Sequence, residues 1–279
     1  MKLGGSICGP YQSAEDFGEL LRASRFAAVT CPVRHDCGGD AERAYFSAAE
    51  RLGVTITEIG VWKNPLSPDA RERHEAMEFA KAQLAFGDRM GIPCCVNIVG
   101  SRGAQWDGAY ADNYAPDTYD AIVQSVREII DAVKPTRCYY TIEPMPWMVP
   151  DGPDEYLQLL RDVDRPMFGV HLDFVNMINS PRRYLFASDF IDECLRKLGP
   201  RIISCHAKDI VLEQPFTVLL RETAPGQGTL DYRHILRSVD RLLPKGMSVL
   251  LEHMQTNEEY RAAYAYVAGI AGEEGIAIR

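Results

Sequence analysis

Eight short apolar runs recur along the 279 residues, each followed by a stretch with helical spacing. No other feature limits the fold as much. The runs are Leu3 to Cys8, Phe26 to Cys31, Val54 to Val61, Ile92 to Val99, Cys138 to Glu143, Met167 to Asp173, Arg201 to His206 and Met247 to Glu252. Short runs bounded by turn formers read as buried strands. The intervening spacing predicts helices over Ala14 to Arg25, Asp40 to Leu52, Ala70 to Met90, Asp117 to Val133, Asp154 to Asp164, a stretch after Arg183 reaching Leu198, Tyr232 to Leu243 and Glu258 to Gly272. Ser13 and Asp40 are expected N-caps, and Gly53 and Gly91 expected stops. Strand and helix in strict alternation build a parallel sheet, and eight units close it. The expected fold class is therefore α/β, a single (β/α)8 TIM barrel filling residues 1–279 as one domain, a length such barrels commonly have. A doubly wound open sheet fits less well. No G-x-G-x-x-G follows the first run, and polar residues close several runs instead of one crevice.

A net charge of −9 and a pI near 5.2 argue against a protein that seeks phosphate backbones, so nucleic acid is not an expected partner. The N-terminal stretch has no apolar signal region, and nowhere do about 18 apolar residues run together, so a cytoplasmic protein without membrane contact is expected. Eight cysteines in a chain of this length make no disulfide framework. Cys8, Cys31, Cys95, Cys138 and Cys205 fall in predicted strands, where a free thiol packs as a small hydrophobe.

Four runs end in polar groups that carry chemistry. They are CYYTIEP (Cys138 to Pro144), MFGVHLDF (Met167 to Phe174), RIISCHAKD (Arg201 to Asp209) and MSVLLEHM (Met247 to Met254), which bring Glu143, Asp173, His206 and Glu252 to the C-terminal ends of consecutive strands. In a closed barrel those ends converge on one mouth. Any one of these residues alone reads equally as a solvated strand end or a hydrogen-bonded core group. Together, three carboxylates at one mouth repel one another unless protonated or held by a cation. Three oxygen donors and one imidazole suit a single divalent ion, Mn²⁺ above all, with Mg²⁺, Co²⁺ and Zn²⁺ also compatible.

The segments TIEP, HLDFVN, HAKD, PGQGTLDY and LEH, in this order, resemble the sugar phosphate isomerase/epimerase family of xylose isomerase-like TIM barrels. The resemblance implies that Glu143, Asp173, His206 and Glu252 bind one divalent cation and that Glu143 and Glu252 act as acid and base on opposite faces of the substrate. A cation chelated by a carbonyl and a neighbouring hydroxyl acidifies the C–H between them and stabilises the enediolate. Returning the proton to the other face gives epimerisation, and to the adjacent carbon isomerisation. The expected activity is thus an isomerase or epimerase on a ketose, keto-sugar or cyclitol. A metal-dependent lyase or dehydratase on a keto-polyol or oxidised glycoside is the alternative. Apurinic endonucleases share the barrel but carry a three-metal, histidine-rich cluster and a basic face, unlike this chain of six histidines. A barrel that binds a ligand without turnover is the third class, which an absence of metal would favour. Where ketose 3-epimerases have a further glutamate and a histidine, this chain has Val149 and Asn176, so the usual grip on a ketose is altered.

Further expected substrate contacts are Asn97 and Arg102 after the fourth run, His171 and Lys208 beside the ligands, Asn176, and the loop residues Trp62 and Trp106, with Trp147 on the same rim. Each has a plainer reading: a core-layer histidine for His171, a paired cation for Lys208, a hydrophobic lid for the tryptophans. His253 is expected to point outward. The partner is a small carbohydrate, and association into a homo-oligomer is compatible with the sequence.

Overall fold

The eight apolar runs become eight parallel strands that close on themselves in a computed structural model describing residues 1–214 and 217–279. Around the barrel run β1 (Lys2–Gly5), β2 (Ala28–Thr30), β3 (Thr55–Gly60), β4 (Cys94–Asn97), β5 (Tyr139–Ile142), β6 (Phe168–Asp173), β7 (Ile202–Ala207) and β10 (Ser248–Leu251), which pairs back onto β1. The fold is a single (β/α)8 TIM barrel. Closure is tight at the first seam: a Cβ on Gly4 would lie 1.7 Å from the Ala28 carbonyl oxygen, so only glycine fits. The apolar core lies between strands and helices, with Leu3, Phe168, Val170 and Leu172 packed against helix residues such as Phe17, Leu84 and Leu195.

Local chemistry sets the helix ends. Helix α1 (Ala14–Ser24) begins where the Ser13 Oγ accepts from the Asp16 N–H. Helix α3 (Ala70–Met90) has Asp69 accepting from the Arg71 and Glu72 N–H groups and stops at Gly91, φ 74°. Asp40 proves not to be a cap. Helix α2 (Gly39–Arg51) starts one residue earlier, which places Asp40 in the first turn, where a carboxylate favours the positive end of the helix. Helices α4 (Pro116–Val133), α5 (Pro153–Val163), α9 (Tyr232–Leu242) and α10 (Asn257–Glu273) follow the predicted spans within two residues. The helix expected after Arg183 is α8 (Ala187–Leu198), and ahead of it stand two short helices the sequence did not predict, α6 (Phe174–Met177) capped by Asp173 and α7 (Pro181–Leu185) capped by Ser180.

One element is new. After β7 the chain leaves the barrel as an antiparallel hairpin, β8 (Asp209–Glu213) and β9 (Leu219–Thr223). Buried Asp209 anchors the loop beyond it. Its carboxylate accepts from the N–H groups of Ile210, Gly226, Gly228 and Leu230. A Cβ on Gly228 would lie 2.2 Å from that carboxylate, so the second glycine of PGQG makes room for the anchor. Among the described residues no helix is long and apolar enough to cross a membrane.

Candidate active site

Period-two alternation carries the polar groups inward along neighbouring strands in two storeys. His171 and Asp173 share one side of β6, and Ser204 and His206 one side of β7, with His171 paired to Ser204 and Asp173 to His206. Glu143 follows β5 directly and its N–H donates to the Asn97 carbonyl of β4 at 2.8 Å. Glu252 follows β10. The upper storey so formed is the expected quartet. His206 Nδ1 lies 2.9 Å from Glu252 Oε2, 3.1 Å from Glu143 Oε1 and 4.0 Å from Asp173 Oδ2. One donor atom from each of the four falls within 4.8 Å of all the others.

Lys208, next on the inward side of the chain after His206, is wholly buried against this group. Its Nζ lies 2.7 Å from Asp173 Oδ2, 2.7 Å from Glu252 Oε2, 3.4 Å from Glu222 Oε2 and 3.8 Å from Glu143 Oε1. Asp173 Oδ2 and Glu252 Oε2 are also buried without a well-directed hydrogen-bond donor. A donor set of three carboxylates and one imidazole, with a donor atom of each within 4.8 Å of the others, is one a divalent metal fits.

The electrostatics agree. Burial and the Glu252 charge push the Glu143 carboxyl up. Burial would do the same to Glu252, but the charges of His206 and Lys208 outweigh it and hold this carboxyl well below the ordinary range. Burial lowers His206, yet Glu252, Glu58 and Glu143 together raise the imidazole well above its usual value. The two glutamates, both set against Nδ1 of the same imidazole, are thus displaced in opposite directions.

The lower storey contains a residue that the sequence reading overlooked. Glu58 sits inside β3, in TITEIG, buried at 2% exposure. Its Oε1 lies 3.1 Å from His206 Nε2, and its Oε2 lies 2.8 Å from His171 Nε2 and 2.9 Å from Ser204 Oγ. The one signal available was an acid in the middle of an otherwise apolar run. His253 was also misplaced. It takes a left-handed backbone, φ 65°, just past the end of β10, so strand alternation no longer governs it; it turns to the mouth and its Nδ1 lies 2.8 Å from Glu222 Oε1.

Above the quartet opens a cavity of about 1410 Å³, whose wall includes Glu143, His206, Glu252 and Asn176. Trp62, Trp106 and Trp147 line it as expected. The Trp62 ring folds back over Gly60, where an added Cβ would lie 2.0 Å from its Nε1. Asn176 reaches the Glu143 carboxylate, with Nδ2 3.4 Å from Oε1. Four expected contacts are corrected, because none of them reaches the cavity wall. His171 is wholly buried on Glu58, and Lys208 is wholly buried among the acids behind the quartet. Asn97 spends its amide on the backbone of Lys63, and Arg102 turns to Asp117 at 3.5 Å.

A family profile described as xylose isomerase-like TIM barrel matches residues 22–269. The chain belongs to that family. No curated protein matches the sequence. Solved structures that superpose on this family member include D-psicose 3-epimerase with D-tagatose from Clostridium cellulolyticum H10, 16% identical, TM-score 0.72, covering 97% of this chain and 99% of that one. A xylose isomerase-like TIM barrel protein from Mycobacterium smegmatis in complex with magnesium is 13% identical, TM-score 0.73, covering 98% and 97%. The 3-keto-D-glucoside 4-epimerase of E. coli is 12% identical, TM-score 0.69, covering 96% and 99%. At these identities the likeness is one of fold.

Proposed function

We propose that the chain is a divalent-metal-dependent sugar isomerase or epimerase acting on a ketose, keto-sugar or cyclitol. Glu143, Asp173, His206 and Glu252 would hold one ion, Mn²⁺ being the first choice for three oxygens and one nitrogen. That ion would supply Lewis-acid stabilisation of an enediolate. The chain's own groups handle the proton. Glu252, held as a carboxylate by His206 and Lys208, is placed to take it from carbon. Glu143, raised by burial, would return one, and the Asn176 amide beside it orients a hydroxyl. The observation that carries this reading is geometric: three carboxylates and one imidazole, each offering a donor atom within 4.8 Å of the others, meet at the foot of one cavity whose wall holds both glutamates.

The cavity favours a second reading within the same chemistry. About 1410 Å³ exceeds the roughly 300–1,000 Å³ of ordinary small-molecule sites, and its outer wall carries Trp62, Phe79, Trp147 and Leu219. A sugar bearing an apolar substituent fills that space better than a bare monosaccharide. With such a glycoside, loss of the substituent after proton abstraction would make the enzyme a lyase.

The test is the metal content of the purified protein beside Glu143→Gln and Glu252→Gln, with thermal melting plus and minus Mn²⁺. About one ion per chain, with Mn²⁺ stabilisation lost in the variants, supports the site, and solvent deuterium should then enter keto-sugars. No ion and no Mn²⁺ shift in the wild type would remove the catalytic reading.

A further inference from the structure

We infer that Glu58 is the positioning residue for His206, fixing its proton on Nε2 so that the Nδ1 lone pair faces the carboxylates. The inference rests on the quartet being a metal site, since a metal ligand must offer a bare nitrogen.

The geometry leaves His206 little choice. Its two nitrogens face acids on opposite sides: Nε2 meets Glu58 Oε1 at 3.1 Å, and Nδ1 meets Glu252 and Glu143. In the other neutral tautomer a bare Nε2 would face the Glu58 carboxylate, lone pair against lone pair, where neither group is more than 2% exposed. The Nε2–H form sets a bare Nδ1 against Glu252 and Glu143, a conflict that a cation held between them removes, so in the loaded site Glu58 favours the Nε2–H form. The carboxylate is itself held. His171 Nε2–H and Ser204 Oγ–H donate to Oε2 at 2.8 and 2.9 Å, and the His171 ring packs edge-on to His206 with centroids 4.1 Å apart. Strand register accounts for the stacking. His171 lies two residues before Asp173 and Ser204 two before His206, so the donors that lock Glu58 sit one storey beneath the ligands they serve.

Glu58, His171 and His206 also come within 4.8 Å of one another, close enough to suggest a second cation site. Both Glu58 oxygens already take donors, however, and His206 is shared with the quartet. The lower storey is a support.

In Glu58→Gln one of the two imidazoles must meet an amide N–H₂ in place of an oxygen, so the lock on His206 is lost while the volume is kept. The expected result is a Mn²⁺ dissociation constant raised about 10- to 100-fold, read from the free-Mn²⁺ EPR signal, in a protein whose metal-free circular dichroism matches wild type. Glu58→Asp should recover part of the loss. As a readout that does not depend on the variant folding, ¹⁵N NMR of wild type loaded with diamagnetic Mg²⁺ is expected to show the His206 proton on Nε2. A proton on Nδ1, or a Glu58→Gln constant within twofold of wild type, overturns the inference alone. A wild type that binds no Mn²⁺ overturns it together with the metal reading.

Discussion

Lys208 is a buried ammonium set among Asp173, Glu252, Glu222 and Asn176, and its removal should be felt more than that of any surface lysine. Asp173, 2.7 Å away, would lose its nearest cation, and Glu252, also at 2.7 Å, would keep only His206. Breaking a buried pair on one side costs about 3–5 kcal/mol. Lys208→Met should lower the metal-free stability by about that much in urea titrations, and saturating Mn²⁺ should recover more stability than it adds to the wild type. An unchanged urea midpoint would show that the carboxylates shed their charge instead. Proton affinity gives a second prediction. His206 is raised well above its ordinary value, so without a cation the ring keeps its extra proton through neutral pH. A cation at Nδ1 must expel it, so Mn²⁺ affinity should increase with pH, about tenfold per unit for each proton displaced, and weaken on acidification. A pH-independent constant between pH 6 and 8 would contradict this. The quartet was legible because each member ends an apolar run, where a polar residue is conspicuous. Glu58 lies within a run and reads as an interruption, and His253 follows a left-handed turn that no alternation rule reaches.

Strands and helices were legible in proportion to how far local chemistry decides them. Helix α3 was bounded correctly at both ends because Asp69 caps it and Gly91 stops it. The β8–β9 hairpin went unread because it pairs only with itself outside the barrel, and the Pro-Gly signal that follows it marks a loop and not its own turn. What holds this excursion is Asp209, whose carboxylate accepts from four backbone N–H groups. Asp209→Ala would leave those groups without their acceptor at the root of the hairpin, and for the two on buried residues, Ile210 and Leu230, each orphan costs about 1–3 kcal/mol. The expected outcome is a loss of about 3 kcal/mol or more and faster amide exchange at Gly226, Gly228 and Leu230. Since Glu222 stands on β9 against Lys208 and His253, the same change should loosen one side of the mouth. Exchange confined to wild-type rates at those three amides would show that the loop is held by other contacts.

At the scale of the whole molecule, the barrel follows from alternation alone, whereas the shape of its mouth depends on loops whose conformation the alternation does not encode. Trp62 is the clearest case: a left-handed φ of 49° and the bare Cα of Gly60 together lay its ring along the cavity. Trp62 and Trp147 stay more than a third exposed at that rim, while the polar groups lie at its floor. Solvated indole faces above a buried acid cluster make a site with two halves, one for hydroxyls and one for a flat apolar group. Titration of the Mg²⁺-loaded protein by calorimetry with 4-nitrophenyl glucoside and with glucose separates the halves. The aryl glycoside should bind more tightly, and Trp62→Ala should remove about 0.5–1.5 kcal/mol of that advantage, the range for one aromatic pair, while leaving glucose binding unchanged. Equal affinity for the two ligands would mean that the outer half serves a different occupant, and a loss shared by both would place Trp62 against the sugar itself.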